Sequence, residues 1–363
     1  MIALQVLSGY ILEELLARLI QSAGYRLLVH ERQDRFELKN KSNGDLQVKG
    51  RGGVHQVDVL GEFTVVPAFS QPIRLFIEAK ARKSVTGISA VRNAVGTVND
   101  VNEAWMVDYS TNRVRRHYRY GLFSTSGFSK PAQDYAIAHQ ISLIDLSGPE
   151  WVGLVDGVNS SSEELLRRLP ADADHFPVRR LRQHLRRALG TMPDRVPNLP
   201  DDVERVDYDF HEGAEIVRRR FEAALDGALL AFPAGHQVLL ARPDDLEAFL
   251  RYANEDPEHR VSLAVDARRA RDGGRTWVVR PFPRDRDAYA LRLTLPAAVE
   301  AIALAESERR AQSLAAKGQL GGRLDIFWDP HGEEATRLLG PRLFRLVFAE
   351  SELRHRRPDQ GEF

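Results

Sequence analysis

The sequence is 363 residues long, with 51 Lys and Arg residues against 51 Asp and Glu residues, and it contains no cysteine. These numbers exclude disulfides, thiolate metal sites and a histone-like polycation, so nucleic-acid binding would have to come from local basic patches. No apolar run approaches the roughly 18 residues that a membrane span needs. We therefore expect no membrane segment, and the lack of cysteine fits a reducing cytoplasm.

The N-terminal segment is the first with a clear period. Apolar residues recur at helical spacing between Leu12 and Ile20, and Gly24 follows where such a helix would end. Glu13 and Glu14 interrupt the apolar stretch, and neither a basic region nor a small-residue cleavage site accompanies it. The pattern predicts an amphipathic helix rather than a signal peptide.

Strand and helix patterns alternate over residues 1–150. The strand candidates in chain order are YRLLVHE, VHQVDVLGEFTVV, IRLFIEAKA, RRHYRYGLFST and ISLIDL, and the helix candidates are ISAVRNAVGTVNDVNEAWMV and SKPAQDYAIAHQ. This order predicts a compact α/β domain with a mixed sheet.

The amino-acid composition of the sequence changes after residue 150. Residues 151–205 are rich in Ser, Pro, Asp and Arg and contain one strong helix pattern, FPVRRLRQHLRRALG, so we expect a linker that holds a basic helix. The arginines of this helix would either follow nucleic-acid phosphates or coat an ordinary solvent face. Residues 206–363 mix helix and strand patterns and predict a second, α+β domain that recognises DNA, a partner or another subunit.

The first domain contains a small set of charged residues that are candidates for catalysis. The strand candidate RLFIEAKAR ends with Glu78 and Lys80, which are two residues apart and so lie on one face. About twenty residues earlier, Asp58 follows the glycine-rich loop of GRGGVHQVDVLG. If the two segments are neighbouring strands, Asp58 and Glu78 converge on an oxygen-ligand site suited to Mg²⁺, for which Mn²⁺ is expected to substitute. Lys80 would orient the attacking water and balance negative charge.

This arrangement resembles the PD-(D/E)xK nuclease superfamily and, within it, the Mrr-like restriction endonucleases. Besides HQVDV and IEAK, the opening helix ILEELLARLIQSAGYRLL and the ending LFSTSGFSKPAQDYAIAHQISLIDL are similar to that family, while Val57 stands where the superfamily's name has proline. The resemblance implies a restriction-endonuclease-like three-layer fold with a central mixed sheet. It also implies Mg²⁺-dependent cleavage of DNA phosphodiester bonds by Asp58, Glu78 and Lys80, and it places the family's helical glutamate on Glu13.

Four further residues are candidates for the active site or for DNA contact, and each has two interpretations. Glu13 is either a third carboxylate of the metal site or a residue of the helix's polar face. Gln56 shares the parity of Asp58 on an extended strand, so we expect it to face the site as a supporting or DNA-contacting residue. Arg82 and Lys83 follow the motif and would either contact backbone phosphates or belong to a solvated loop.

Arg115 and Arg116 are the last candidates for DNA binding. They precede Tyr118 and Tyr120, and basic residues interleaved with aromatic ones suit a nucleic-acid surface. Charged residues are equally ordinary on an exposed edge strand.

The resemblance suggests a metal-dependent DNA endonuclease that acts in restriction or antiphage defence. DNA is the expected partner, a homodimer is expected because one site cuts one strand, and a defence-system partner protein is a further possibility. Two alternatives are a structure-specific repair nuclease that uses the same site, and a DNA-binding or scaffold protein whose nuclease-like domain is catalytically silent.

Overall fold

The structure, a computed structural model, describes thirteen stretches of the chain. They are residues 4–41, 45–66, 68–104, 114–148, 151–168, 178–192, 205–225, 227–233, 238–266, 276–295, 297–305, 309–329 and 342–349. Within these stretches, no helix combines the length and the hydrophobicity that crossing a bilayer requires.

The elements before residue 150 form one domain around a mixed sheet. In chain order they are α1 (Leu4–Ser22), β1 (Tyr25–Leu28), β2 (Leu38–Asn40), β3 (Leu46–Lys49), β4 (Val54–Gln56), β5 (Val59–Phe63), β6 (Ile73–Lys80), α2 (Ile88–Glu103), β7 (His117–Ser124), α3 (Lys130–Ala138) and β8 (Ser142–Asp145). The main sheet has the order β1-β5-β6-β7-β8, in which β1, β5 and β6 pair antiparallel and β6, β7 and β8 pair parallel. The predicted mixed sheet is confirmed.

Helices cover both faces of this sheet. Along β6, Leu75 and Ile77 lie in the core that includes α1, and Phe76 between them lies in the core that includes α2 and α3. This alternation is what a strand buried on both faces requires. The expected three-layer arrangement is therefore present.

Two glycines set how α1 meets the sheet. Gly24 has a φ of +82°, the left-handed conformation that ends a helix, as its position in the sequence predicts. Gly61 lies in β5, where a Cβ atom would stand 2.8 Å from Cδ1 of Ile20 and 3.0 Å from Cβ of Tyr25. The missing side chain thus lets the end of α1 lie directly on the strand that Asp58 precedes.

A buried ion-pair cluster, centred on Arg74, lies at the end of the sheet where β6 begins. Its guanidinium contacts Asp34 at 2.8 Å, Glu37 at 2.8 Å and Glu62 at 2.8 Å. Arg116 contacts the same three carboxylates. The cluster joins the segment that precedes β2 to β5, β6 and the start of β7.

The described helices of the segment expected to be a linker pack into the first core. The segment contains α4 (Val152–Arg168) and α5 (Val178–Ala188), and α6 (Arg205–Leu225) follows. The apolar sides of all three helices are buried with α1, and Leu181 and Leu185 of α5 are completely buried. Composition reports the polar outer faces of these helices and not the apolar sides by which they pack, and the division of the chain into domains stays a prediction.

The remaining strands close into a barrel. In chain order the elements are β9 (Leu229–Pro233), β10 (Leu239–Pro243), α7 (Leu246–Glu255), β11 (Glu258–Val265), β12 (Trp277–Pro281), β13 (Leu291–Leu293), α8 (Ala297–Leu304), α9 (Arg309–Gln319), β14 (Arg323–Trp328) and β15 (Arg342–Phe348). The barrel order is β10-β13-β12-β11-β15-β14-β9, and β9 pairs with β10 to close it. This segment mixes helices and strands, as expected, but the sequence did not predict that the strands would close.

The barrel packs against the first domain. Leu230 and Leu240, on the outer sides of β9 and β10, belong to the same core cluster as α1, α4, α5 and α6. The rings of Phe63 on β5 and Phe327 on β14 meet edge to face with their centres 4.5 Å apart. An expected boundary near residue 206 therefore runs through a shared core.

Candidate active site

The pairing of β5 with β6 brings the two motif carboxylates together. Val59 pairs with Ile77, and one further step of the antiparallel register places Asp58 opposite Glu78. The backbone N–H of Asp58 donates to the carbonyl of Ile77 at 3.3 Å, and Oδ2 of Asp58 accepts from the N–H of Ala79 at 2.8 Å. These bonds fix the Asp58 carboxylate across the end of β6.

Glu78 is held between two side chains. Lys80 forms an ion pair with Oε1 of Glu78, which confirms that the two residues share a face of β6. The hydroxyl of Tyr120 on β7 donates to Oε2 of Glu78 at 2.6 Å, and the Tyr120 ring stacks on Phe76 with centres 4.8 Å apart. Tyr120 is buried, so it supports the carboxylate rather than presenting a ring for DNA bases.

The electrostatics of this pair favour a cation. Burial raises the pKa of Asp58 above its ordinary value, and the charge of Glu78 adds to the rise. Burial and the charge of Glu78 also raise the pKa of Tyr120, so its hydroxyl keeps the proton that it donates. The carboxylates of Asp58 and Glu78 therefore lie close together where water solvates them poorly. A bound cation would relieve the repulsion between them.

A second charged group lies beside Asp58 and comes from helices that are distant in sequence. Arg182 of α5 contacts Oε2 of Glu13 at 2.8 Å and Oε1 of Glu14 at 2.8 Å. Arg186, one turn later, contacts Oε2 of Glu14 at 3.0 Å. Sequence reasoning missed Glu14 and both arginines, although two adjacent acids inside an apolar helix are a signal that a cation must lie nearby.

Asp58 and the charged residues of α1 and α5 line one pocket. It lies between α1, α5 and the adjoining ends of β1 and β5, and Glu13, Glu14, Asp45, Asp58 and Arg182 supply its charged walls. The side chain of Glu13 is only 12% exposed. The structure therefore places Glu13 beside Asp58 and not on a solvated helix face. This favours its interpretation as a third carboxylate of the metal site.

The pKa values of the two helical acids are shifted in opposite directions. Burial outweighs the attraction of Arg182 and raises the pKa of Glu13 to about 8, with a further contribution from Asp58. Burial also acts on Glu14, but Arg186 and Arg182 together outweigh it and hold the pKa of that carboxyl below its usual range. Glu14 therefore binds the two arginines of α5. The protonation of Glu13, in contrast, would respond to a nearby charge.

Glu13 should make stability depend on pH. Its pKa is about 8 in the fold against an ordinary 4.5, so the folded state binds an extra proton between these pH values. The free energy of unfolding should therefore fall as pH rises through this window, by on the order of 4 kcal/mol. Glu13→Gln should flatten this dependence, as measured by urea unfolding from pH 5 to pH 9. Equal slopes for wild type and variant would contradict the assignment.

The loop after Lys80 is held by the segment that ends β7. The N–H of Thr125 donates to the carbonyl of Lys80 at 3.1 Å, and Oγ1 of Thr125 accepts from the N–H of Arg82 at 3.1 Å. Gly127 has a φ of +72°, the conformation that this Thr-Ser-Gly-Phe turn needs. Arg82 and Lys83 are exposed on the loop, so their predicted phosphate contacts stay predictions.

Two predicted residues lie elsewhere. Gln56 is exposed at the end of β4, in the separate sheet β2-β3-β4, and accepts from Nζ of Lys41 at 2.5 Å. Gln56 and Asp58 do not share a strand face, because no single strand runs from one to the other: the chain changes sheet between β4 and β5. His55, on the same short strand, contacts Asp100 at 2.7 Å.

The proposed DNA-binding pair at the start of β7 is divided by the structure. Arg116 is committed to the Arg74 cluster and is no candidate for phosphate contact, and Tyr118 is buried beside it. Arg115 is exposed, so its assignment stays a prediction. The alternation of arginine and tyrosine there reflects a buried ion-pair cluster, which sequence alone does not distinguish from a nucleic-acid surface.

Comparison with known proteins gives a family for the first part of the chain. The Mrr_cat family, described as restriction endonuclease, matches residues 4–150. No curated protein matches the chain at a significant level. A crystal structure titled as a protein of unknown function, AF1548, is similar with a TM-score of 0.31 and 16% identity over 59% of this chain and 97% of that chain.

The matched segment begins with α1 and ends just beyond β8, so it contains the motif residues and Glu13. It excludes Arg182, which supplies part of the pocket wall from outside it. Residues 4–150 of the chain form an Mrr-like restriction endonuclease domain.

Proposed function

We propose that the protein is a metal-dependent endonuclease that hydrolyses phosphodiester bonds of DNA. The observation that carries the proposal is the convergence of Asp58, Glu78 and Lys80 at the paired ends of β5 and β6, inside an Mrr-like domain. A solvated salt bridge at a strand end would not require a second carboxylate to be buried beside it.

The donor set suits a hard divalent cation. Asp58 and Glu78 offer carboxylate oxygens, the ligands that Mg²⁺ and Mn²⁺ prefer, and the raised pKa of Asp58 reflects burial and repulsion that a cation would relieve. Within the described part of the chain, no group of three or more His, Cys, Asp or Glu side chains has the spacing of a closed metal site. Two carboxylates fit an ion that keeps several waters. Such an ion would acidify a bound water and neutralise charge on the phosphate.

The chain's own residues prepare this chemistry. The N–H of Ala79 fixes the Asp58 carboxylate, and Tyr120 fixes that of Glu78, so neither needs to reorganise before reaction. Lys80 brings a positive charge to the same face, where it would orient the attacking water and stabilise negative charge on the phosphate oxygens. Glu13 adds a third acid, which lines the same pocket as Asp58.

A role in restriction or antiphage defence rests on the family of the domain. A homodimer, a defence partner and a cytoplasmic location stay predictions. The repair alternative differs from restriction in the DNA that is cut, whereas a silent scaffold would bind DNA and cut none.

The test is a cleavage panel with wild-type protein. Supercoiled plasmid, methylated and unmethylated, would be compared with linear and branched DNA in Mg²⁺, Mn²⁺ or EDTA. We expect cutting of plasmid DNA that requires the metal. Cutting confined to branched DNA would favour repair, and binding with no cutting of any substrate would overturn the proposal in favour of a silent scaffold.

A further inference from the structure

Arg182 reaches the pocket of the candidate active site from a helix outside the family-matched segment. Its side chain is held on α1 by two contacts besides the one to Glu13. Nε donates to Oε1 of Glu14 at 2.8 Å, and the guanidinium carbon lies 5.4 Å from the centre of the Tyr10 ring, within the range of a cation–π contact. The guanidinium therefore has a fixed place before any ligand enters the pocket.

The apolar side of α5 determines how the two arginines meet α1. Leu181 and Leu185 are completely buried in the core that α5 shares with α1. Arg182 and Arg186 each follow one of these leucines, so they lie in the next row along the helix, one turn apart. Arg186 donates to both oxygens of Glu14, at 3.1 and 3.0 Å. Glu14 is thus held by two arginines, and either one alone would still leave it paired.

Glu13 is held differently, through one oxygen. Its Oε2 contacts Nη1 of Arg182 at 2.8 Å. Among the residues that the structure describes, Oε1 of Glu13 has no hydrogen-bond or ion-pair partner. The side chain lines the pocket together with Asp58. Arg182 therefore fixes one oxygen of this carboxylate and leaves the other available to a ligand in the pocket.

We infer that Arg182 is a positioning residue of the metal site, which holds Glu13 so that its second oxygen can bind a divalent cation beside Asp58. The cation rests on the proposed function, whereas the role of Arg182 goes beyond it, because α5 lies outside residues 4–150. The planar fork of arginine suits this task, since it contacts two acids at once in a fixed geometry. Loss of a group that orients a metal ligand typically lowers metal affinity tenfold to a hundredfold.

The test measures Mn²⁺ binding without DNA, by the electron paramagnetic resonance signal of the free ion. Wild type would be compared with Arg182→Met and with the matched control Arg186→Met. Both variants remove one positive charge from α5 and leave Glu14 paired with the other arginine, but only the first releases Glu13. We expect Arg182→Met to weaken Mn²⁺ binding by about tenfold or more, and Arg186→Met to change it by less than about threefold.

A double-mutant cycle shows whether Arg182 acts through Glu13. In protein that already carries Glu13→Gln, adding Arg182→Met should cause no further loss of Mn²⁺ affinity. The same loss in both backgrounds would mean that Arg182 acts only on the general structure, and it would overturn the inference. Tighter Mn²⁺ binding by Arg182→Met would also overturn it, because the guanidinium would then merely repel the cation.

Arg182→Lys keeps the test decisive if Arg182→Met does not fold. Lysine retains a cation for Glu14 but lacks the fork that contacts both acids, so Mn²⁺ affinity should again fall. Wild-type affinity in folded Arg182→Lys would contradict the positioning role. Arg182-dependent Mn²⁺ binding upholds the inference even if the protein cuts no DNA, and a wild type that binds no Mn²⁺ overturns it even if plasmid is cut.

Discussion

Replacement of Lys80 by methionine should lower DNA cleavage by roughly a hundredfold to a thousandfold, the usual effect of removing one group that stabilises transition-state charge. Methionine keeps the length of the side chain and removes its charge. Tyr120 and the N–H of Ala79 would still hold the two carboxylates, because neither bond involves Lys80. Binding of Mn²⁺, followed by its electron paramagnetic resonance signal, should therefore be retained in the variant.

A surface lysine provides the matched control. Lys130 begins α3, is well exposed and pairs with Asp134 on the same helix, so Lys130→Met removes the same charge without touching the site. We expect the control to cut DNA at the wild-type rate. Full cleavage by Lys80→Met would show that the ion pair with Glu78 is only structural.

Replacement of Arg74 by methionine should destabilise the fold by about 3–5 kcal/mol, because removal of one partner leaves buried charges uncompensated. The Arg74 side chain is 1% exposed and contacts Asp34, Glu37 and Glu62. It also donates to the hydroxyl of Tyr118 at 2.9 Å. Urea unfolding at pH 7, with both the midpoint and the slope recorded, measures the loss.

Arg26 offers a control within the same network. Its side chain is 63% exposed and pairs with Glu62, so Arg26→Met should cost no more than about 1 kcal/mol. Equal losses for the two variants would contradict the view that burial gives the Arg74 cluster its weight.

The Arg74 effect should also shrink in acid. Burial acts to raise the pKa of Asp34 and Glu62, but Arg74 outweighs it and holds both below their ordinary values. Depressed carboxyl pKa values stabilise the fold above the unfolded-state values, and this stabilisation is lost as pH falls through the folded-state values. The difference between wild type and Arg74→Met should therefore narrow below about pH 4.

The fold of the first domain followed from local patterns that tertiary structure did not override. Alternation placed Glu78 and Lys80 on one face, and helical spacing followed by Gly24 ended α1 where the structure ends it. Both are short-range properties, fixed by the period of the strand and by the left-handed preference of glycine. Motif order then linked Asp58 to Glu78, which β5 and β6 pair directly.

The parts that sequence did not predict depend on contacts between distant segments. Nothing near Arg182 in the chain indicates that it reaches Glu13, some 170 residues earlier, and an arginine-rich helix has the same composition whether it binds DNA or acids. Gln56 was misplaced for a related reason, since parity holds only while the chain stays in one strand. Closure of the barrel likewise depends on the pairing of β9 with β10, which short strand patterns do not specify.

The most direct test of the candidate site compares wild type with Glu78→Gln on supercoiled plasmid in Mg²⁺. Glutamine keeps the shape of the side chain and an oxygen for the Tyr120 hydroxyl, while it removes the charge that a metal needs. We expect wild type to nick or linearise the plasmid and the variant to leave it supercoiled with an unchanged unfolding midpoint. Equal cutting by a folded Glu78→Gln variant would contradict the assignment of Asp58, Glu78 and Lys80 as the nuclease site.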